Sequence, residues 1–272
     1  VRVGADRAAV IDALVQKALE LTRETGCSSL HWLFTDGGDT DALLNYGLLR
    51  RTGCHFHWHN HEYRRFDDFL QQLNSRKRKK IRRERRSVAD AGIRMEIVHG
   101  NEASEELWET MYRFYRSTFE RKSGTATLSL DFFHDICETM GEQVVLVCAR
   151  DGSRAVAGAI NLRSDTALYG RHWGCSDHYH NLHFETCYYQ GIDYCIEHKL
   201  SLFEPGAQGE HKLSRGFLPI LTWSAHWIED VPFREAVSRF LANEHELMLD
   251  YHNEMSAYSP YRLDRDVQGE DV

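Results

Sequence analysis

The sequence predicts an α/β protein with a mixed sheet whose central strands are antiparallel. Helix and strand patterns alternate over the first 61 residues. Three short apolar strand patterns then follow one another between residues 143 and 173, separated by turn sequences. The chain has 272 residues, of which 42% are hydrophobic, and a mean hydropathy of −0.53. These values are typical of globular proteins and exclude collagen-like, disordered and membrane-spanning chains.

The first 65 residues are predicted to form part of one domain. Their patterns predict, in order, a helix over 8–23, a strand over 29–34, a short helix over 39–45 and a strand over 54–61. This is the order of the closing half of an α/β unit. We therefore expect an incomplete first domain over 1–65, whose opening half lies before Val1.

One long amphipathic helix is predicted from Phe66 to Gly92. Its apolar residues share one side, and the opposite side holds Arg78, Lys79, Arg82, Arg83, Arg85 and Arg86. Nine of the 33 Lys and Arg residues lie between Arg76 and Arg86, in a chain with a net charge of −8. The remainder, with 24 basic and 40 acidic residues, therefore carries −16. A positive stripe in so acidic a chain is expected to face an anion.

This helix supplies the predicted anion-binding residues, which are Lys77, Arg78, Arg82, Arg83 and Arg86. Several arginines on one face can neutralise successive phosphates of RNA and release counterions. Free phosphate or an acidic lipid would suit the same charges. The alternative is a solvated, charge-rich helix that only packs its apolar side. No base-stacking aromatic residues accompany the stripe, so base-specific recognition is not predicted.

Residues 66–255 are predicted to form a complete second domain. After the basic helix, the patterns predict a strand over 93–98, helices over 104–120 and 130–140, antiparallel strands over 143–150, 155–163 and 166–173, a helix over 182–199, strands over 201–204 and 221–228, and a helix over 232–250. The Asp151-Gly152 pair is a strong hairpin signal. The polar tail over 256–272 is expected to fray.

The cysteines indicate a reducing compartment. The seven cysteines include no CxxC pair, so a disulfide framework is not expected. The N-terminal residues resemble no signal peptide, and the longest apolar runs are too short for a bilayer. We therefore predict a cytoplasmic protein with no membrane span.

A glycine-bearing loop after the strand over 201–204 holds the predicted active site. Ligand sites of α/β proteins tend to lie at the carboxyl ends of strands. The candidate catalytic residues are Glu204, Glu210 and His211, because a carboxylate or an imidazole can act as a general base near neutral pH. Gln208, Lys212 and Arg215 are candidate substrate-binding residues, the two cations for a phosphate or carboxylate group. The alternative is a surface loop held by its own salt bridges.

The strand over 166–173 is predicted to contribute further substrate-binding residues. Alternation places Tyr169, Arg171 and Trp173 on one face, where Tyr169 and Arg171 can line a groove. The alternative is an ordinary half-buried strand with a core tryptophan.

Four histidines alternate along one predicted strand, at His55, His57, His59 and His61. Neighbours on one face of a strand lie nearly 7 Å apart, so two of them at most can share a zinc ion. We predict no metal site and interpret the row as a pH-sensitive polar groove. Cys175 and Cys187 have no sequence context of a nucleophile and are expected to be buried.

Four segments carry a resemblance to a known family. They are Phe56-His-Trp-His-Asn60, Leu168-Tyr-Gly-Arg-His-Trp-Gly174, His183-Phe-Glu-Thr-Cys-Tyr-Tyr189 and the string from Glu204 to Pro219. With the basic helix and the order of elements, they resemble the FemAB-like peptidoglycan biosynthesis/recognition family of the GNAT superfamily, over about residues 8–250. The resemblance implies a GNAT-like acyltransferase fold in a tandem-GNAT arrangement, whose N-terminal copy is incomplete here.

The same resemblance implies transfer of an acyl or aminoacyl group to an amine, such as that of a cell-wall precursor. The co-substrate is then acyl-CoA or aminoacyl-tRNA, with no bound cofactor. GNAT sites for acyl-CoA usually contain Q/R-x-x-G-x-G/A; here Arg171 and Gly174 match, but Ser176 replaces the last residue. This departure weakens the expectation of CoA and leaves tRNA open. The alternative functions are a non-catalytic GNAT-like module that recognises a cell-wall precursor or RNA, and a protein that only binds RNA.

Overall fold

The computed structural model describes residues 4, 6–121, 123–177, 179–206 and 209–262. Its helices are α1 (Arg7–Glu24), α2 (Gly37–Leu44), α3 (Phe66–Gln72), α4 (Ser75–Asp90), α5 (Glu105–Arg121), α6 (Leu130–Met140), α7 (Leu182–Phe184), α8 (Gln190–Glu197) and α9 (Val231–Ala257). Its strands are β1 (Ser29–Thr35), β2 (Leu49–His59), β3 (Ile93–His99), β4 (Val144–Asp151), β5 (Arg154–Arg163), β6 (Ala167–Cys175), β7 (Leu202–Glu204) and β8 (Leu218–Ile228). A 3₁₀ helix spans Glu210–Arg215.

The chain divides into two compact units at other positions than the predicted domain boundaries. The first unit contains the described residues up to His55 together with Pro219–Ala257, and the second contains the described residues of Phe56–Leu218 and of 258–262. The predicted boundaries, after residues 65 and 255, differ from these because β8 pairs with a strand that is far away in the sequence. β8 pairs antiparallel with β1, so it joins the first unit together with α9.

The first unit is built on the strand order β1, β8, β2. Its core is an apolar cluster in which Val15 and Leu19 of α1 pack with Leu43 of α2 and Trp227 of β8. Burial of these side chains is the main source of stability of such a layer.

The second unit contains a sheet with the strand order β2, β7, β6, β5, β4, β3. β6 and β7 are parallel, whereas β2 with β7 and the pairs among β3, β4, β5 and β6 are antiparallel. The predicted mixed, centrally antiparallel sheet is therefore confirmed, as is the meander of β4, β5 and β6. One face packs on α5 and α6 through residues such as Met111 and Ile160, and the other packs Val88 of α4 and Leu182 of α7.

The predicted helix from Phe66 to Gly92 is interrupted, which corrects the sequence interpretation. Leu73 has an extended backbone with ψ of 151° and forms a β-bridge with Tyr261. The Asn74 side chain then accepts a hydrogen bond from the Lys77 backbone N–H at 3.0 Å, which starts α4. The break depends on a partner almost 190 positions away, so local periodicity could not reveal it.

The predicted fraying from residue 256 is wrong for the part of the tail that is described. α9 continues to Ala257, and the backbone N–H of Asn74 donates to the Pro260 carbonyl at 2.9 Å. The Tyr261 hydroxyl donates to the Gly216 carbonyl at 2.7 Å. Residues 263–272 of the predicted tail lie outside the described residues.

The predicted helix over 182–199 contains one irregular turn. Between α7 and α8, Glu185–Tyr189 form a π-helical turn. Such turns often occur at functional sites because they redirect side chains within a helix. Within the described ranges, we find no helix with the length and apolar character needed to cross a membrane.

Candidate functional site

The parallel strands β6 and β7 pair over only three residues each. Their last pair is Tyr169 with Glu204. Pro205 follows, and because proline has no backbone N–H it cannot extend the ladder as a donor. No further pair joins these two strands among the residues the structure describes. The ladder therefore ends at the carboxyl end of the parallel pair, where Gly170 and Pro205 still lie in close contact. Ligand sites of α/β proteins tend to lie at this end of the strands.

Three polar side chains lie next to one another on the sheet at this end of the ladder. Trp58 of β2 pairs with Phe203 of β7, so His57 lies opposite Glu204. The distance between His57 Nε2 and Glu204 Oε1 is 3.7 Å. Tyr169 occupies the matching position on β6. From the sequence we predicted only that His57 lies in a polar groove, because neither strand's sequence shows that β2 pairs with β7.

Glu204 has the electrostatic environment of a candidate general base. Its side chain is 35% exposed, and partial burial raises the pKa of its carboxyl group above the usual value. A carboxylate with a raised pKa accepts a proton more readily near neutral pH. Of the three predicted catalytic residues, Glu204 therefore has both a position and a carboxyl pKa that suit proton transfer.

A β-bulge at Arg171 corrects the predicted face of β6. Ile160 pairs with His172 but Asn161 pairs with Gly170, so Arg171 is the extra residue. Tyr169 therefore lies on the sheet face of α5, whereas Trp173 packs on the opposite face with the cluster around Val88. The three residues do not share one face, because the simple alternation of a strand does not continue through a bulge. Arg171 itself is exposed.

Trp173 and His211 instead belong to an aromatic cluster around the π-helical turn. The Trp173 ring lies 5.0 Å from the His183 ring, which lies 6.2 Å from the His211 ring. A hydrogen bond of 2.8 Å joins the Tyr188 hydroxyl and His211 Nε2. Burial, and then the charges of Arg215, Lys212 and Lys80, lower the pKa of His211. His211, although exposed, is therefore held as neutral imidazole more readily than a histidine without these neighbouring cations.

Lys212 and Arg215 are almost completely buried and have partners within the protein. The Lys212 ammonium donates to the Gly206 carbonyl, and burial lowers its pKa to about 8. Arg215 Nε and Nη2 donate to the Glu84 carboxylate at 3.2 and 2.9 Å, and Nη1 donates to the His211 carbonyl at 2.7 Å. These contacts anchor the chain after β7 to α4, so both side chains position the loop.

The ionisable residues of the predicted loop cluster thus have different surroundings. Glu204 faces His57, His211 contacts Tyr188, and Arg215 binds Glu84. Glu210 is exposed. Gln208 lies outside the described residues. Sequence reasoning missed Glu84, although its position as the one acidic residue between Arg76 and Arg86 was a signal.

The basic helix α4 has an exposed side and a paired side. Its exposed basic residues are Arg76, Lys79, Arg82, Arg83 and Arg86. Lys77 and Arg78 are half-buried, and Arg82 also contacts Asp67 at 3.0 Å. Burial lowers the pKa of Lys77, as do the neighbouring cations.

Arg85 corrects the predicted composition of the basic face. It contacts Glu185 at 3.0 Å and Asp193 at 2.7 Å, and its guanidinium lies over the Phe66 ring. The helical projection grouped Arg85 with the exposed arginines, because its acidic partners lie about a hundred residues further along the chain and do not enter such a projection.

The segment that resembled a CoA-binding loop is part of a strand. Gly174 lies in β6, where a Cβ atom would come within 2.0 Å of the Phe114 carbonyl oxygen. Its lack of a side chain lets α5 approach the sheet. Gly174 therefore has a packing explanation that requires no ligand.

Two further observations concern the Cys187 thiol and the arrangement of possible metal ligands. Burial raises the pKa of the Cys187 thiol strongly, which disfavours the reactive thiolate. In the part of the chain that the structure describes, no group of three or more His, Cys, Asp or Glu side chains is arranged to hold a metal ion.

Comparisons with known proteins identify the architecture. The family model for FemAB-like proteins, described as peptidoglycan biosynthesis/recognition, matches residues 1–263. A search of curated proteins found no match. The structure of L-PGS from Bacillus licheniformis is similar with a TM-score of 0.61 and 9% identity, over 84% of this chain and 77% of that one. FemX is similar with a TM-score of 0.57 and 13% identity, over 85% and 80%.

A further similar structure is a tandem GNAT protein from the clavulanic acid biosynthesis pathway. Its TM-score is 0.51 and its identity is 13%, over 85% of this chain and 73% of that one. At such low identity these likenesses concern the fold. The predicted GNAT-like α/β fold is confirmed.

Proposed function

The chain belongs to the FemAB-like family of peptidoglycan biosynthesis/recognition proteins, and on that premise we propose that it is an N-acyltransferase acting in aminoacyl transfer. The observation that carries the proposal is the position of Glu204 at the carboxyl end of the β6–β7 pair, with His57 at 3.7 Å and a raised carboxyl pKa. The amine acceptor is a peptidoglycan precursor with a free amino group.

The reaction is direct attack of the amine on the donor carbonyl. The amine nitrogen forms a bond to the carbonyl carbon, and Glu204 accepts the proton that the nitrogen loses. The bond from that carbon to the donor oxygen or sulfur then breaks, and the leaving group takes a proton. Backbone N–H groups of β6 beyond Tyr169 are the proposed donors to the oxyanion.

We propose aminoacyl-tRNA as the donor. The exposed basic residues of α4 run from Arg76 to Arg86, which corresponds to about 15 Å of helix. Such a row can neutralise several successive phosphates of an RNA backbone. Acyl-CoA is less well supported, because Gly174 has a packing role and Ser176 departs from the usual acyl-CoA pattern.

The test is a transfer assay with the full chain. Charged tRNA and acetyl-CoA are offered separately with a peptidoglycan stem pentapeptide as the amine, and the product mass is measured. We expect aminoacylated peptide from charged tRNA alone. An acetylated peptide would overturn the choice of donor. Saturable binding of the pentapeptide without product from either donor would overturn the enzyme assignment in favour of a recognition module.

A further inference from the structure

Two histidines of the first unit form a contact that the proposed transfer reaction does not use. His31 of β1 and His226 of β8 lie directly opposite each other in the antiparallel ladder. Their Nδ1 atoms are 2.7 Å apart, and the contact is exposed to solvent. The two residues are 195 positions apart in the sequence, so local patterns could not reveal the pair.

The sheet holds the backbone of both histidines in place. β8 has β1 on one side and β2 on the other. Leu30 and Trp227, which are chain neighbours of the two histidines, pair with each other and pack in the apolar core of the first unit. Successive side chains of a strand point to opposite faces, so His31 and His226 share the face that this core does not occupy. Their Cα atoms are therefore fixed relative to each other by the packed core on the other face.

A serine hydroxyl lies next to the second nitrogen of each ring. His31 Nε2 is 3.0 Å from Ser29 Oγ, and His226 Nε2 is 2.8 Å from Ser224 Oγ. A hydroxyl oxygen can accept a hydrogen bond from a ring N–H. When both Nε2 atoms carry the hydrogen, both Nδ1 atoms present lone pairs to the same point. Histidines that bind metals commonly donate from the other ring nitrogen to such a partner, which fixes the tautomer and the ring orientation.

The separation of the two Nδ1 atoms is close to that of neighbouring ligands of one metal ion. Metal–imidazole bonds are about 2.0–2.1 Å long, so two nitrogens at a right angle around an ion are about 2.9 Å apart. The observed 2.7 Å is slightly shorter, as expected for two rings that share a hydrogen bond. Right angles between ligands are typical of the tetragonal sites of Cu²⁺ and Ni²⁺.

Two charged side chains that act on His226 offset each other. Arg51 of β2 and Glu244 of α9 both interact electrostatically with His226. They also pair with each other at 2.9 Å. The repulsion that Arg51 exerts on a cation between the two rings is therefore largely offset by Glu244.

We propose that His31 and His226 bind a divalent transition-metal ion through their two Nδ1 atoms. The ion takes the place of the hydrogen between the rings, and each ring keeps a hydrogen on Nε2 for the neighbouring serine. One ring only changes its tautomer, so two neutral rings bind the ion without net release of a proton. Among the described residues no group of three or more His, Cys, Asp or Glu side chains is arranged to hold a metal, so water completes the coordination. The site is independent of the proposed transfer reaction.

The probe is Cu²⁺, titrated into the full chain by calorimetry with glycine as a competing chelator that suppresses weaker sites on single histidines. We expect saturable binding of one Cu²⁺ and no binding of Mg²⁺, which prefers oxygen ligands. Pulsed electron paramagnetic resonance should detect two coordinated imidazoles in the Cu²⁺ complex. His31→Gln should weaken Cu²⁺ binding at least about tenfold, since removal of a group that merely supports a ligand already costs about 10–100-fold.

Two further variants make the test specific. His226→Gln removes the other ligand and should lower the affinity for Cu²⁺ to a similar extent. His180→Gln is the matched control, because His180 is an exposed histidine of the second unit; it should leave the affinity unchanged. Circular dichroism checks the folding of each variant. Absence of saturable Cu²⁺ binding, a wild-type complex with a single imidazole, or equal affinity of the wild type and His31→Gln would overturn the proposal.

Discussion

Arg215 and Glu84 form a two-point ion pair inside the second unit. Arg215 Nε lies 3.2 Å from Oε2 of Glu84, and Nη2 lies 2.9 Å from Oε1, with 2% and 4% of the residues exposed. Tyr189 of the π-helical turn donates to the same carboxylate. The pair therefore joins the basic helix, the π-helical turn and the segment after β7 in one hydrogen-bonded group.

Removing one member of this pair should destabilise the protein strongly. Arg215→Met leaves the buried Glu84 carboxylate without its two-point partner and with only the longer contact to Lys80 at 3.9 Å, so the free energy of unfolding should fall by about 3 kcal/mol. Urea denaturation measures the loss. Arg82→Met is the matched control, because its pair with Asp67 is exposed and should be worth at most about 1 kcal/mol. Similar losses in both variants would contradict the structural role of the buried pair.

The buried ammonium of Lys212 predicts a pH dependence of stability. Its pKa falls from an ordinary 10.5 to about 8 in the folded protein. Between these values the unfolded chain binds more protons than the folded one, so stability rises with pH. Relative to Lys212→Met, the wild type should gain stability from about pH 8 to about pH 10, by up to about 1.4 kcal/mol per pH unit.

Denaturation curves of both proteins across this pH range measure that difference. Lys79→Met serves as the control, since Lys79 is exposed on α4. A constant difference between the wild type and Lys212→Met would show that Lys212 does not titrate as predicted.

Gly174 should be intolerant of any side chain. A Cβ atom there would lie 2.0 Å from the Phe114 carbonyl oxygen, which is backbone and cannot rotate away. Gly174→Ala should therefore cost about 3 kcal/mol or more of unfolding free energy. Gly37→Ala is the control, since its Cβ would meet nothing within 4 Å. If both variants unfolded at the same temperature, close packing of α5 on β6 would not explain this glycine.

The exposed side of α4 should determine affinity for tRNA. Replacing Arg83 and Arg86 together by serine should weaken tRNA binding. The slope of the logarithm of the binding constant against the logarithm of the salt concentration should become less steep by about 0.7–0.9 for each phosphate that the variant no longer neutralises. Fluorescence anisotropy at several salt concentrations measures both effects. The control is the double variant in which Arg113 and Arg116, at exposed positions of α5, are replaced by serine, because it changes the net charge by the same amount. Equal effects of the two double variants would mean that tRNA binding follows net charge alone.

Local sequence patterns were sufficient to predict most helices and strands of this fold. The features that they missed depend on contacts between segments that are distant in the chain. The meander was predictable because its turn residues and alternation are local, as at Asp151-Gly152. The break at Leu73 was not, since its partner Tyr261 lies at the other end of the chain. The bulge at Arg171 depends on the register with β5, which strand alternation does not encode.

The same distinction between local patterns and distant contacts applies to the residues of the candidate site. Glu204 was predictable as a carboxylate at the end of a strand, whereas its neighbour His57 required knowledge of strand pairing. Arg215 looked like an anion-binding residue because its buried partner Glu84 is 131 positions away.

The transfer rate of Glu204→Gln tests the central claim most directly. In the assay with charged tRNA and the stem pentapeptide, this variant should bind both substrates as the wild type does but transfer at least about 100-fold more slowly, because glutamine cannot accept the amine proton. Glu210→Gln, which changes an exposed carboxylate of the same loop, should transfer at the wild-type rate. Wild-type transfer by Glu204→Gln would contradict the assignment of Glu204 as the general base at the carboxyl end of β6 and β7.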